Sequence, residues 1–338
     1  MESSTDHRKG ILSAGNWLVD FVKIIDRYPE PTMLASILSE SVGLGGAPNN
    51  VLATLAVLDP TLPLYAGGMI GTDPNGDRIV AEIDRLGIDR RFLYRSERLA
   101  TSYTDVMTEK ATGRRTFFHC RGANAALAPE HFRDIDVPAR IFHLGYLLLL
   151  DTLDQPDPIY GVVAAGVLKG LSEKGYRISV DCVSEESDRY RSVVIPCLPY
   201  MHYLIVNEME AGRITGINLR NKNGEIIPER LPEAAGVVFA GGVKETIAIH
   251  FPEGGYAMRR DGTGAYCKAF VMKQDQIKGT VGAGDAFCAG MLYALHQSWT
   301  LEEGLRLANA VAAVSLTHPT STGGARPLAE VLRFANGE

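Results

Sequence analysis

Gly279-Thr280-Val281-Gly282-Ala283-Gly284-Asp285-Ala286-Phe287, running on to Gly290 and Met291, is the stretch that decides the fold. Two glycines bracket an alanine, and an acid follows at once. Apolar or small residues recur at Phe287, Gly290, Met291, Ala294 and Leu295, the spacing of one helix face. The stretch therefore predicts a small-residue turn that opens a helix, with Asp285 in its first turn. The opening amides of a helix lack internal partners and lie at the positive end of its dipole. With no bulk at Gly282, Ala283 and Gly284, those N–H groups can close on a phosphate. An ionised Asp285 beside such an anion hole can take a hydroxyl proton while the amides hold the charge that builds on a transferring phosphoryl. A capped helix with an early acid is the competing interpretation, and the stretch alone does not choose between them. Two other phosphate loops are excluded. No Gly-x-x-x-x-Gly-Lys-[Ser/Thr] string occurs, and after Gly282 and Gly284 the next glycine is Gly290, which breaks Gly-x-Gly-x-x-Gly.

Gly282-Ala283-Gly284-Asp285-Ala286-Phe287 followed by Gly290 resembles the C-terminal signature of the ribokinase-like, or PfkB, carbohydrate kinases. The resemblance implies an α/β fold, a doubly wound, mostly parallel sheet with helices on both faces, plus a small β-sheet lid. The expected organisation is a single kinase domain over residues 1–338, with the lid drawn from about 15–45 and 100–121.

The totals are consistent with this. The chain has 338 residues, 46% hydrophobic and 22% charged, with net charge −6, which is ordinary globular composition without a basic stripe. Nucleic acid is not an expected partner. The five cysteines are scattered, odd in number and without a Cys-x-x-Cys pair, so neither a disulfide framework nor a metal cluster is expected and a reducing cytoplasm fits. Met1 to Gly10 is polar and predicts no signal peptide. The longest apolar run, Leu144 to Leu150, is too short to span a bilayer, so no membrane association is expected.

Near the N-terminus, Ile11 to Ile25 reads as strand interrupted at Gly15-Asn16, with Asp20 set among Leu18, Val19, Phe21 and Val22. An acid there is either edge-exposed or held for a ligand. Pro29 to Ser41 reads as a loop. It leads to Gly45-Gly46-Ala47-Pro48-Asn49-Asn50 and an apolar helix, Val51 to Leu58. Glycines let the backbone approach a ligand, and an amide side chain both donates and accepts, although an ordinary capped loop is the alternative. In the resemblance, Gly15 and Asp20 match a glycine and a sugar-binding aspartate five residues apart, with Leu18 where several members carry a polar residue. Gly45, Gly46 and Asn50 match the N-terminal Gly-Gly-x-x-x-Asn signature and imply substrate contacts. The hairpin Ser102–Thr108 and Arg115–Arg121 belongs to the lid by the same resemblance. Arg121 and Asn124 beyond it are either substrate contacts or a solvated strand end. Gly71 to Asp77 reads as a structural turn before a helix, Arg78 to Leu86.

From Ala139 strands alternate with helices. Strands are read at Arg140–Tyr146, Arg177–Cys182, Tyr203–Val206 and Thr246–Phe251, and helices at Ile159–Leu171, Ser187–Leu198 and Glu208–Thr215. Such alternation implies a parallel sheet whose ligands sit at strand C-terminal ends. A second hairpin is read over Gly255–Asp261 and Ala265–Met272. Asn207-Glu208-Met209-Glu210 follows a strand directly. It is either a helix start with favourable acids or, as the resemblance implies, the Asn-x-x-Glu near Mg²⁺ and the nucleotide phosphates, with Asn207 and Glu210 acting through water. His250 and Pro252 stand where the family shows a threonine and a glycine beside the nucleotide, and Gly255 matches. The implied nucleotide site takes in Asn207, His250, Gly255 and Asn309 and has an unusual shape. Gly279 replaces an aspartate that helps relatives bind a monovalent cation, so a K⁺ site of that kind is not expected.

These features converge on transfer of the γ-phosphoryl of ATP, with Mg²⁺, to a hydroxyl of a free sugar such as ribose, fructose or a related keto-sugar, with a terminal CH₂OH as the expected acceptor. A nucleoside kinase of the same superfamily is the alternative, with Phe117, Phe118 or Tyr103 as a platform for the base. A non-catalytic sugar- or nucleotide-binding protein is the other. Dimerisation through the lid is the expected assembly.

Overall fold

The structure, a computed structural model, describes residues 8–338. The part of the signal-peptide expectation that falls on residues 1–7 lies outside the described residues. The chain opens with β1 (Ile11–Gly15), β2 (Leu18–Ile25), β3 (Ile37–Gly45), α1 (Ala47–Leu58), β4 (Leu64–Gly71) and α2 (Pro74–Arg85). Next come β5 (Asp89–Ser96), β6 (Ser102–Glu109), β7 (Arg115–Cys120), α3 (Glu130–Arg133) and β8 (Ile141–Leu147). A two-residue pair, β9 (Pro156–Asp157) and β10 (Gly161–Val162), precedes α4 (Val163–Glu173) and β11 (Arg177–Cys182). Then follow β12 (Tyr203–Asn207), α5 (Glu208–Thr215), α6 (Arg230–Ala240), β13 (Thr246–Phe251), β14 (Gly254–Arg259) and β15 (Gly264–Lys268). Three helices close the chain, α7 (Ala283–His296), α8 (Leu301–Ser315) and α9 (Leu328–Asn336).

Nine strands form one sheet in the order β15-β14-β13-β12-β11-β8-β1-β4-β5. Every pairing from β13 to β5 is parallel; β14 and β15 add antiparallel at one edge. Alternate strand residues feed two cores. Leu12, Phe142, Ile178, Leu204 and Ile247 meet Leu168, Ala211 and Leu231 of α4, α5 and α6. Ile11, Ile141, Tyr203, Ile205 and Ala248 meet Leu52, Phe287 and Leu305 of α1, α7 and α8. Burial on both sides explains why these strands read as continuous apolar runs. The architecture is the doubly wound, mostly parallel sheet with helices on both faces. Among the described residues, no helix is long and apolar enough to cross a membrane.

A four-stranded sheet, β3-β2-β6-β7, stands apart, built from the two stretches grouped above as a lid. β2 pairs parallel with β6; the outer pairings are antiparallel. Three local expectations need correction. The stretch read as a loop over Pro29 to Ser41 ends in strand β3, which is exposed from Ile37 to Val42 and so shows no buried alternation there. The helix read from Ile159 starts at Val163, because Asp157 accepts from the amides of Ile159 and Tyr160 and Gly161 turns at φ 82°. The helix read over Ser187–Leu198 is a π turn followed by a 3₁₀ turn, with Pro199 inside the second.

Candidate active site

Asp285 lies in the first turn of α7, and only 7% of it is exposed. α7 reaches this position because Gly290 lets α8 approach: a Cβ there would sit 2.6 Å from Ala308 Cα. Asn50 Nδ2 donates to Asp285 Oδ2 at 2.8 Å, and the Tyr146 hydroxyl donates to Oδ1 at 2.8 Å. Asn50 is itself fixed, its Oδ1 accepting from Ser321 Oγ and Asn49 Nδ2. Burial pushes the Asp285 carboxyl above its usual range, and the Asn50 and Tyr146 hydrogen bonds pull it back. The acid is held in one orientation at the wall of a cleft of about 630 Å³.

The turn before it has the expected form. Gly282 caps α7 at φ 78°, a left-handed backbone with no room for a side chain, since a Cβ would meet Ser321 at 2.6 Å. Among the described residues no backbone carbonyl accepts from the amides of Gly282, Gly284 or Asp285; the Ala283 amide reaches the Thr280 carbonyl only at 3.5 Å. Gly282, Ala283 and Gly284 are half-buried and line the same cleft.

On the side of the four-stranded sheet, Asp20, Thr104 and His119 lie opposite one another on β2, β6 and β7. Thr104 hydrogen-bonds Asp20, and its Oγ1 meets His119 Nδ1 at 3.0 Å. Burial first, and the Asp285 charge second, push Asp20 up to about 6. Gly45 and Gly46 serve packing. A Cβ on Gly45 would fall 2.4 Å from Asp20 Oδ2; one on Gly46, at φ 90°, would fall 1.8 Å from the Asn16 carbonyl oxygen. Arg121 is engaged away from Asp285, donating to the Leu148 carbonyl and pairing with Asp151 at 3.3 Å. Asn124 is buried against the Trp17 backbone, where it both donates and accepts.

On the other side, Asn207 and Glu210 form a reciprocal helix cap on α5, and Ser184 bridges them. Burial raises Glu210 to about 7. Beside it Asp181, at the end of β11, is driven well above the usual carboxylate range by burial and then by the Glu210 and Asp285 charges. Ligand atoms of Asp181, Cys182 and Glu210 lie within 4.8 Å of one another. Two buried carboxyl groups so close lack positive charge, and hard oxygen donors suit Mg²⁺, so the residues present fit that ion.

Of the remaining nucleotide candidates, His250 borders the cleft. Its ring stacks tilted on Phe287 at 5.0 Å, and burial lowers its pKa to about 4, so it is neutral. Gly255 is buried; a Cβ there would touch the Phe287 ring at 3.0 Å. Asn309 donates from its amide to the carbonyls of Cys267 and Lys268, which ties α8 to β15. For Gly279, an added Cβ would meet Pro319 at 3.0 Å, which closes the place where an aspartate side chain would stand. Of the three aromatic candidates only Phe117 lines the cleft; Tyr103 packs edge-on against Phe21. The sequence reads Tyr146 and Asp181 only as strand residues, and Ser321 only as part of a loop, Thr320 to Ala325, on the nucleotide side. Strand-end position could have flagged Asp181, but nothing local marks Tyr146 or Ser321, whose partners are more than 130 residues away.

A family model described as pfkB family carbohydrate kinase matches residues 11–327. The ATP-dependent ribose-1-phosphate kinase of Halopiger xanaduensis is 26% identical over 305 residues, 90% of this chain and 91% of its own length. The ribokinase of Haemophilus influenzae is 24% identical over 331 residues, covering 97% and 98% of the two chains. Among solved structures, Arabidopsis thaliana ribokinase complexed with ribose and ATP aligns with a TM-score of 0.77 at 21% identity, over 97% of this chain and 99% of that one.

Proposed function

We infer the reaction from one premise: the chain belongs to the pfkB family of carbohydrate kinases, phosphotransferases that use an alcohol as acceptor. The reaction is transfer of the γ-phosphoryl of ATP to a hydroxyl of a free sugar such as ribose, fructose or a related keto-sugar. The observation that carries this is Asp285, oriented by Asn50 and Tyr146 and facing a cleft beside the Gly282 and Gly284 amides, which among the described residues no backbone carbonyl occupies.

Asp285 takes the proton of the attacking hydroxyl. The amides of Gly282, Ala283 and Gly284 receive the phosphoryl oxygens, where their fixed dipoles need no reorganisation as charge develops. Asp20 accepts from the sugar's vicinal hydroxyls, and Gly45, Gly46 and Asn50 shape the wall behind it. Glu210, with Asp181 beside it, would hold Mg²⁺ through water, and the ion would supply positive charge beside the nucleotide phosphates. Asn207 and His250 border the nucleotide. The chain works as one domain with the four-stranded sheet as its lid, and closure excludes water, which otherwise competes as acceptor. Exposed Ile37, Leu38 and Val42 on β3 support dimerisation through that lid, which sedimentation of Leu38→Glu against the parent protein checks.

A second reading, a nucleoside as acceptor, is supported by Phe117, which lines the cleft with 60% of its surface exposed and offers a face for a base. ADP release measured across free sugars, sugar phosphates and nucleosides decides among the acceptors. Turnover that disappears in Asp285→Asn supports the kinase. Ligand binding with no turnover in the parent protein supports a binding protein instead.

A further inference from the structure

A row of polar side chains crosses the central strands. In the sheet register Ser13 of β1 lies beside His143 of β8, and His143 beside Ser179 of β11. All three are fully buried. Ser13 and His143 stand two residues along from Ile11 and Ile141, so they point to the side covered by α1, α7 and α8. A polar group in such a place costs free energy unless something satisfies it. Ser179 Oγ meets His143 Nδ1 at 3.1 Å, while Ser13 Oγ has no hydrogen-bond partner among the described residues.

The Ser179 contact leaves the other ring nitrogen of His143 toward α7. There Nε2 faces Cys288 Sγ at 3.9 Å and has no other hydrogen-bond partner among the described residues. Cys288 follows Asp285 by three residues, almost one helical turn. Asp181, at the irregular step of β11 between Val180 and Cys182, completes the group. One ligand atom each from His143, Asp181 and Cys288 lie within 4.8 Å of one another, and all three residues are buried. One Asp181 oxygen accepts from the Cys182 amide at 2.8 Å; among the described residues the other accepts from no protein donor. Asp181 also lines the cleft, which gives an ion a way in. The ordinary alternative is a polar core in which a histidine rests against a thiol. That accounts for the His143–Cys288 contact but leaves a buried carboxyl with a free oxygen beside them.

We propose that His143 Nε2, Cys288 Sγ and a carboxylate oxygen of Asp181 bind a thiophilic divalent ion, Zn²⁺ by the nature of the donors. One imidazole, one thiolate and one carboxylate suit zinc and leave a fourth position for water. The same set is poor for Mg²⁺, which takes oxygen ligands. Zn–S and Zn–N bonds meeting at a tetrahedral angle separate their donors by about 3.6 Å. The 3.9 Å between Cys288 Sγ and His143 Nε2 is close to that. Ser179 is the outer partner that fixes the ring. As the sulfur–zinc bond forms, the thiol proton leaves to water. Asp181 belongs both to this group and to the oxygen donors beside Glu210, so Zn²⁺ and Mg²⁺ compete for it and Zn²⁺ inhibits. The zinc site stands on geometry alone; the inhibition rests on the kinase reading above.

The test uses the full chain, reduced and stripped with a chelator, with Zn²⁺ titrated by calorimetry and Co²⁺ as the spectroscopic probe. The expected result is one ion per chain and a sulfur-to-cobalt charge-transfer band. X-ray absorption of the Zn²⁺-loaded parent is expected to show one sulfur at about 2.3 Å among nitrogen and oxygen neighbours at about 2.0–2.2 Å. Cys288→Ser abolishes the band and weakens Zn²⁺ binding more than about 100-fold, and Ser179→Ala weakens it about 10-fold. Cys267→Ser, at a half-buried thiol elsewhere, leaves binding and band unchanged. The X-ray absorption measurement needs no variant, so it decides even if Cys288→Ser fails to fold. A zinc shell without sulfur, or a Cys288→Ser protein that binds Zn²⁺ within about twofold of the parent, overturns the site. In ADP release, Zn²⁺ raises the Mg²⁺ concentration needed for half-maximal rate in the parent and not in Cys288→Ser. An unchanged Mg²⁺ dependence in the Zn²⁺-loaded parent overturns the competition at Asp181. A parent that binds Zn²⁺ through sulfur yet turns over no acceptor keeps the site and removes the kinase reading; turnover without zinc binding does the reverse.

Discussion

Two glycine-bearing helix starts face each other across Asp285, and they do different work. At α1, Gly46 is jammed against the Asn16 carbonyl, Pro48 has no N–H to offer, and the first turn is buried. At α7, Gly282–Gly284 stay half-exposed, and their amides open on a cleft. The first start is a steric hub whose product is the position of Asn50, and through it of Asp285. The second presents the donors themselves. Glycine at a helix N-terminus therefore does not make an anion hole; amides that the protein leaves without a partner do.

The sharpest way to break this comparison is to add a methyl group at each turn. Gly46→Ala must escape both a left-handed backbone and a carbonyl overlap, so a loss of more than about 4 kcal/mol is expected, read as little soluble folded protein. Gly284→Ala meets only the edge of the His250 ring at 3.2 Å; here the fold is expected to persist, while kcat falls about 10²-fold because the methyl crowds the phosphate's place. A folded, active Gly46→Ala or a fully active Gly284→Ala would erase the distinction.

Asn50→Ala probes the link between the two starts. Asn50 stabilises the ionised carboxylate, so its loss raises the Asp285 pKa, and the acid limb of kcat against pH moves to higher pH, with kcat falling about 10-fold at neutral pH. An unmoved limb would mean that Asn50 serves the substrate and not the base. Asp20→Asn tests the acceptor side. The folded protein holds Asp20 at about 6, above its unfolded value, so ionisation costs stability above that pH and nothing below about 4. Asp20→Asn is expected to gain about 1–2 kcal/mol at pH 8, a gain that vanishes on acidification, and to raise the sugar KM about 10- to 100-fold. Calorimetry at two pH values checks the first, initial rates the second. The smallest effect concerns cations. With Pro319 packed on Gly279, exchanging K⁺ for Na⁺ is expected to leave kcat unchanged, and a strong K⁺ dependence would place a site elsewhere.

Legibility followed the range of the forces involved. The helix of Asp285 was readable because its turn, its acid and its apolar face are local, and so were the central strands, whose burial on both faces leaves unbroken apolar runs. β3 was not, since an exposed strand gains its definition from hydrogen bonds to β2 alone. Asn309 shows the same limit: whether it faces a ligand or the core depends on distant partners, and its amide joins α8 to β15.

From the order of residues alone came the turn before Asp285, the alternation that demands a parallel sheet, and the pair of glycine motifs that mark the family resemblance. All of these depend on neighbours a few positions apart, where backbone sterics and side-chain period act directly. Only the folded chain decided that Tyr146 and Asn50 grip the two oxygens of Asp285, that Asp181 stands beside Glu210, and that Arg115 lines the cleft. Those facts depend on which surfaces the long-range packing of sheet, helices and lid brings together, and no short window of sequence contains that information.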